Sequence, residues 1–251
     1  DHPMILRRLT AALRKQDWFT VVIETLIVVL GVFLGLQVNI WNEARGERSM
    51  ERQYILRLHS DMQRSAEAIR SSGSFLVRQV ENEGVLLSSL ATCEIAETDR
   101  QAVVAALGSL GKYNFAVVDR ELVDQLRASG QFEVISNPDV REAINLMSQE
   151  SDGQLRVEPQ WLEHAAPWTS YARRFYYFDS PEGVDSGRWE RWENLEFELE
   201  RACQDFEFLS AVGNTREATR NLYHWNNAVL DRVDEAEQAL AQEIGARGWD
   251  I

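Results

Sequence analysis

The chain has 251 residues and a formal net charge of -14, from 26 basic and 40 acidic side chains. That length suits one domain, or one domain plus an anchor. Arg7, Arg8, Arg14 and Lys15 outnumber Asp1, Asp17 and Glu24, so residues 1–41 sum to +1 and the rest to -15. A body that acidic repels phosphate backbones, which argues against nucleic acid as a partner.

Residues 1–17 read as a basic amphipathic segment. Ile5, Leu9, Ala12 and Leu13 fall at helical spacing with basic side chains beside them. That pattern suits a short helix lying on an anionic lipid surface. Residues 18–41 follow as a transmembrane helix. The apolar run Phe19–Ile40 is bracketed by Trp18 and Trp41. At ~1.5 Å per residue it covers ~33 Å, close to the ~30 Å of a bilayer core. Four basic residues precede the span, and Arg45, Arg48, Arg52 and Arg57 follow it, so the flanking charges balance. The large acidic portion favours a cytoplasmic N-terminus with the C-terminal domain in the periplasm.

The span carries polar residues that need a reason. At ~100° per residue, Glu24, Val28, Gly31, Gly35 and Asn42 fall within ~40° of one line. Gly31 and Gly35 form a GxxxG pair, which lets two helix backbones approach closely. A carboxylate costs up to ~3 kcal/mol at the bilayer centre, so Glu24 should be protonated, hydrogen-bonded or facing water. The stripe reads as a self-association face, with Glu24 and Asn42 as polar glue. Two other readings remain open. Glu24 could line a small pore between helices, or the segment could be a plain anchor whose Glu24 reaches the near interface.

The stretch "ETLIVVLGVFLGLQVNIWNEARG" is similar to the N-terminal signature of a family of bacterial single-pass membrane proteins, described only as a domain of unknown function. Glu24, Val28, Val29, Gly31, Gln37, Asn39, Trp41, Asn42 and Glu43 fit its pattern, while Ile40 stands where the family often has a second Asn. "ELVDQLRASGQFEVISNPDVREAI" resembles a second family feature, a Leu-x-x-Ser-Gly helix end followed by a new helix. The resemblance implies a helical protein of the bacterial inner membrane and brings no activity with it.

Residues 42–251 read as an acidic helical bundle. A long helix is expected over about 42–90, with Ile55, Met62, Ile69 and Leu76 repeating every seven residues. Leu58 starts a second seam that Ser65 and Ser72 interrupt. Asp99 or Thr98 opens a short helix that Gly111 ends, and Gly130 stops another. Asn137 followed by Pro138 is a strong helix start. A further helix is expected over 155–178, broken near Pro159 and Pro167, then a loop over 179–187. Two long amphipathic helices should follow, joined at Gly213, with Asn214 or Thr215 capping the second. No strand pair stands out beyond a short "FEVI". The fold class is therefore all-α, an elongated bundle of about four long helices that continues from the transmembrane helix.

Cys93 and Cys203 are the two cysteines. They can form one long-loop bridge in an oxidising compartment or remain buried thiols. His59, His164 and His224 fit no metal-binding spacing, and no nucleophile, phosphate-loop or dinucleotide motif occurs. No enzymatic activity, metal or cofactor is expected. An aromatic cluster runs from Trp161 to Trp192. It contains Trp161, Trp168, Tyr171, Phe175, Tyr176, Tyr177, Phe178, Trp189 and Trp192, interleaved with Arg173, Arg174, Arg188 and Arg191. It reads as a plug at one end of the bundle. Trp161, Trp168, Arg173, Arg174, Trp189 and Trp192 could instead offer a ligand or partner surface by stacking and cation–π contacts. Expected partners are membrane lipid, a second copy of the chain, and a membrane-protein partner.

Overall fold

The computed structural model describes residues 18–113, 116–178 and 195–249. The interfacial segment expected over 1–17, the loop over 179–187, and Arg188, Trp189, Arg191 and Trp192 lie outside these residues. The chain divides into two compact units, Asp1–Gln53 and Tyr54–Ile251. Among the described residues the architecture is all-α apart from one small hairpin.

Helix α1 spans Trp18–Thr92 and contributes to both units. No proline interrupts this stretch, so every backbone donor along it can join the helical ladder. Within Asp1–Gln53, the side chains from Val22 to Trp41 are exposed throughout, with Val28 at 64% and Phe33 at 56%.

The second unit is built on three long helices. These are the later part of α1, α4 (Pro138–Ala172) and α6 (Phe206–Arg247). Shorter elements fill the gaps: α2 (Arg100–Ser109), α3 (Glu121–Ala128) and α5 (Leu199–Ala202). Helix α6 runs antiparallel to α1. Gln63 pairs with Glu237, Arg70 with Asp234, and Arg216 Nε donates to the Val80 carbonyl. It is antiparallel to α4 as well, because Asn137 meets Glu243 while Glu158 and Trp161 lie beside Leu222 and Trp225.

Apolar residues of α6 recur on the face turned to these partners, from Phe208 and Val212 to Val229, Val233, Ala236, Leu240 and Ile244. Two hydrophobic clusters result. One gathers Ile55, Leu58, Met62 and Ile69 with α3, the start of α4 and the C-terminal half of α6. The other gathers Leu86 and Leu90 with α2, Phe175, Ala202 and Phe208.

The helix ends follow local rules. Asn137 Oδ1 accepts from the Asp139 N–H at 2.9 Å, with Pro138 in the first turn. Gly130 takes φ +70° after α3, its N–H donating to Arg127 and that of Gln131 to Leu126. This pair of bonds is a Schellman stop. Gly248 and Trp249 repeat it after α6, donating to Gly245 and Ile244. Asp99 precedes α2 but makes no side-chain capping bond.

Several expectations are corrected. Helix α4 is continuous through Pro159 and Pro167. Both prolines are exposed, as are Leu155 and Glu163 four residues before them. The carbonyls that lose their donors therefore turn toward water, which limits the cost of an interior proline.

The helix expected from residue 188 is replaced over 195–202 by a strand and the short helix α5, while its last part, from Phe206, belongs to α6. Strand β1 (Tyr176–Phe178) pairs antiparallel with β2 (Leu195–Phe197), Tyr177 opposite Glu196. Tyr176 lies inside and Tyr177 outside, as adjacent residues of a strand do. Aromatic residues favour such a half-buried strand, but three residues are too few to show a period in sequence. "FEV" (Phe132–Val134) is a 3-10 turn rather than a strand.

Gly213 does not end a helix, and neither Asn214 nor Thr215 is a cap, because α6 runs through all three. A helical glycine costs ~1 kcal/mol, and the buried seam of Phe208, Val212, Thr215 and Thr219 on either side offsets it. Among the described residues the long helices of this unit are three, where about four were expected.

Gly111 is constrained twice. Its φ is +70°, and a Cβ there would lie 1.9 Å from Thr169 Cγ2. Gly130 shares the left-handed conformation but has open space around it. Gly130→Ala should therefore cost about 1 kcal/mol from backbone strain alone. Gly111→Ala should cost a further ~1–3 kcal/mol, because Thr169 is β-branched and has little room to move. Urea denaturation of the two variants beside the wild type measures the difference.

Candidate functional site

Three regions of the described residues carry notable polar or aromatic chemistry. The first is the apolar stretch of α1. It is long and apolar enough to cross a membrane, and none of its hydrophobic window is buried within the protein. A fully buried Val, Leu, Ile or Phe is ~1.5–3 kcal/mol better off than an exposed one, so a run this long requires lipid or another chain around it. Glu24, Gly31, Gly35 and Asn42 are all exposed, and the space beside both glycines is open. Asn39 Nδ2 donates to Glu43 Oε1 at 2.7 Å, one turn along the same helix. Arg45 lies 5.7 Å over the Trp41 ring.

The second region is the aromatic end of the bundle. The structure separates the residues that sequence grouped. Trp168 and Tyr171 pack against the cluster that holds Phe175 and Tyr176. Phe175 contacts Phe208 at 4.6 Å between ring centres, and Phe197 lies 6.0 Å from Phe208. Trp161 lies one heptad earlier on α4 and borders a separate crevice with Leu222 and Trp225, of only about 10 Å³.

Arg174 stacks 5.1 Å over Tyr171, but the guanidinium over Phe175 belongs to Arg201, at 4.5 Å. Arg173 is exposed and sits near Lys112, whose pKa burial and Arg173 together lower. The described rings therefore spend their faces on one another and on α6. An open groove of about 300 Å³ borders this end, lined by Ile95, Arg100, Val104, Glu196 and Phe197 rather than by the tryptophans.

A disulfide joins Cys93 to Cys203, with Cα atoms 5.6 Å apart. Cys93 follows α1 and adopts φ +53°, the left-handed position usually held by glycine, while the Glu94 N–H donates to Ser89. A cysteine at that position serves for its sulfur, not for its backbone. Cys203 follows α5, so the bridge ties the end of α1 to the segment between β2 and α6. Close by, Asp205 caps α6 by accepting from the Phe208 N–H at 2.8 Å, and both its oxygens accept from the Tyr171 hydroxyl.

The third region was not foreseen. Between the two hydrophobic clusters lies a polar layer of Ser72, Gln79, Glu83, Thr215, Thr219 and Asn226, all buried. Asn226 Nδ2 donates to the Ile69 carbonyl at 3.1 Å. Thr215 and Thr219 turn their hydroxyls onto carbonyls of their own helix. Glu83 is fully buried and accepts from Gln79 Nε2 at 3.2 Å. Among the described residues its second oxygen has no hydrogen-bond partner. Burial pushes Glu83 up to about 7, against the smaller opposing pulls of Gln79, Thr219 and Arg216.

A signal for this layer was present. The heptad Ile55, Met62, Ile69, Leu76 continues to position 83 and then Leu90, so a carboxylate occupies a core position. Among the described residues, no group of three or more His, Cys, Asp and Glu is placed to hold a metal.

No protein-family model, curated protein or solved structure matches this chain. What the structure defines is an all-α protein with, among the described residues, one helix long and apolar enough to span a membrane, which is compatible with a single-pass membrane protein.

Two outcomes follow for the folded domain. The disulfide closes a loop of 110 residues. Replacing both cysteines with alanine should cost about 2–4 kcal/mol, chiefly by freeing the unfolded chain, and denaturation of the oxidised protein against the variant measures it.

Glu83 has a raised pKa, so the folded state holds its proton where the unfolded state has lost it. Its contribution is therefore greatest below about 4.5 and is lost as pH rises to about 7. The loss amounts to about 3 kcal/mol. In Glu83→Gln the unfolding free energies at pH 5 and pH 7.5 should differ by correspondingly less than in the wild type.

Proposed function

We propose that this chain is a non-catalytic single-pass protein of the bacterial inner membrane that self-associates through α1 and acts as a sensor, scaffold or accessory subunit. Its N-terminus is cytoplasmic and its helical domain periplasmic. The observation that carries this reading is the unburied apolar surface from Val22 to Trp41. Its polar and small residues, Glu24, Gly31, Gly35 and Asn42, share one line on the helix.

Lipid alone would satisfy the apolar side chains. It would not satisfy Glu24, which a second helix can hydrogen-bond or shield. The Gly31–Gly35 pair provides the close approach that such a contact needs. The bridge between Cys93 and Cys203 supports an oxidising compartment for the domain. The likeness of Glu24–Asn42 to the signature of bacterial single-pass proteins agrees with the membrane assignment.

The test is the mass of the full chain in native-membrane nanodiscs, beside the Gly31→Leu/Gly35→Leu variant. The wild type should be oligomeric and the variant monomeric. Monomers in both would overturn self-association. Steady conductance of the oligomer in liposomes, lost in Glu24→Gln, would make the assembly a pore rather than a scaffold.

A further inference from the structure

Gln79 and Glu83 lie one turn apart on the buried face of α1, at 2% and 0% exposure. Gln79 Nε2 donates to Glu83 Oε1 at 3.2 Å and to the Ser109 carbonyl at 2.9 Å, which uses both of its hydrogens. A carbonyl can only accept, so Ser109 fixes which end of the amide faces it. Among the described residues, two buried atoms of this pair then have no hydrogen-bond partner, Gln79 Oε1 and Glu83 Oε2.

With Glu83 ionised, both of these atoms are acceptors and cannot satisfy each other. One proton on Glu83 removes the conflict. The carboxylic O–H then donates to Gln79 Oε1 while the amide N–H donates to Glu83 Oε1, which closes a ring of two hydrogen bonds. The terminal torsions of Gln and Glu are broad, so the ring closes at little conformational cost.

The groups around Glu83 offer an ionised carboxylate little help. Thr219 of α6 lies near it, but its hydroxyl donates to the Thr215 carbonyl at 2.9 Å. Tyr113, after α2, stays neutral, because burial and Glu83 both push its phenol up. Lys112 feels Arg173, at the end of α4, as a like-charged neighbour. Arg216 of α6 is the cation that acts on Glu83. Its guanidinium lies across Gly84, with Nη2 3.2 Å from where a Cβ would stand. Its Nε donates at 3.1 Å to the Val80 carbonyl, not to a carboxylate.

We propose that Gln79 and Glu83 form a proton-sensing pair in the seam between α1 and α6. The pair shares a proton in the closed state. When that proton leaves to the solvent buffer, Arg216 turns from the Val80 carbonyl to Glu83 and the seam loosens. Burial raises the Glu83 pKa to about 7, which puts the change in the neutral range. Glu83 keeps its proton below that value, so the closed seam is the acid-side state and the loosened seam the alkaline one. The proposal rests on the sensor reading for its use, and makes the proton the signal. It is read on the carboxyl group rather than on oligomeric mass, so either can fail alone.

The experiment is a carbon-13 NMR titration of the full chain with labelled Glu, in nanodiscs, joined to amide hydrogen exchange at pH 5 and pH 8.5 corrected for its intrinsic pH dependence. A Glu24→Gln chain serves as the parent, because a carboxyl inside the bilayer also holds its proton. One Glu carboxyl of the parent should keep its proton up to about 7. Exchange over 76–84 and 212–222 should be at least fivefold faster at the higher pH. Glu83→Gln mimics the protonated acid, since its amide N–H can donate to Gln79 Oε1. It should remove that resonance and exchange equally at both pH values. Arg216→Gln should raise the Glu83 midpoint. The pair is overturned if every Glu carboxyl of the parent titrates in the ordinary range, if Glu83→Gln keeps the pH dependence of exchange, or if Arg216→Gln leaves the midpoint where it was. If Glu83→Gln does not fold, the parent titration and Arg216→Gln decide alone.

Discussion

The antiparallel contact of α1 with α6 decides where the rest of Tyr54–Ile251 can sit. Each helix presents buried residues at alternating three- and four-residue steps, so one continuous seam runs from Ile55 at the Leu240–Ile244 end of α6 to Leu86 near Phe208 and Val212. The seam is not uniformly apolar. At its middle, Ser72, Gln79 and Glu83 occupy positions that α1 elsewhere fills with Ile, Leu and Met. Thr215, Thr219 and Asn226 occupy the matching face of α6. A buried polar layer of this kind costs stability and limits the number of ways two helices can slide past each other. Asn226 reaching the Ile69 carbonyl ties one register in place.

The polar layer has a structural counterpart in the division of the core. The cluster at the start of α4 closes over α3, while the other is capped by α2, the hairpin and the aromatic side chains. The disulfide lies at this second end. It compensates for a local weakness, since β1, β2 and α5 are short and have few hydrogen bonds of their own. A three-residue strand pair is marginal by itself. Its anchorage comes from Phe197 against Phe208, the Glu198 N–H donating to Phe175, and the covalent tie at Cys203.

The aromatic run shows how far a cluster in sequence can differ from a cluster in space. Trp161 and Trp168 are seven residues apart, which on a helix is ~10 Å along the axis. They share a face but meet different parts of α6, and only Trp168 joins the Phe175 group. Sequence proximity therefore located the aromatic end correctly for Tyr171 to Tyr176 and misplaced Trp161. Arg201, which covers Phe175, lies beyond the run and was invisible to a local reading. The two cysteines were legible as a pair but not as a bridge, because pairing depends on where α5 turns relative to the end of α1.

The amino-acid sequence by itself determined the apolar stretch of α1, the helix start at Asn137, and the stop at Gly130. Each is a local matter of side-chain hydrophobicity, a capping oxygen, or a backbone angle that glycine adopts freely. It also determined the all-α class, through heptad spacing in α1 and the amphipathic pattern of the C-terminal stretch. Tertiary structure alone decided that Pro159, Pro167 and Gly213 do not end helices. Packing against a long neighbour outweighs a local cost of one to a few kcal/mol when the lost backbone bonds face water. It also decided that 195–197 pairs as a strand and that Glu83 is buried. A carboxylate at a heptad position can rotate toward solvent at the edge of a bundle. Only the close approach of α6, with Thr219 and Arg216 across from it, encloses it.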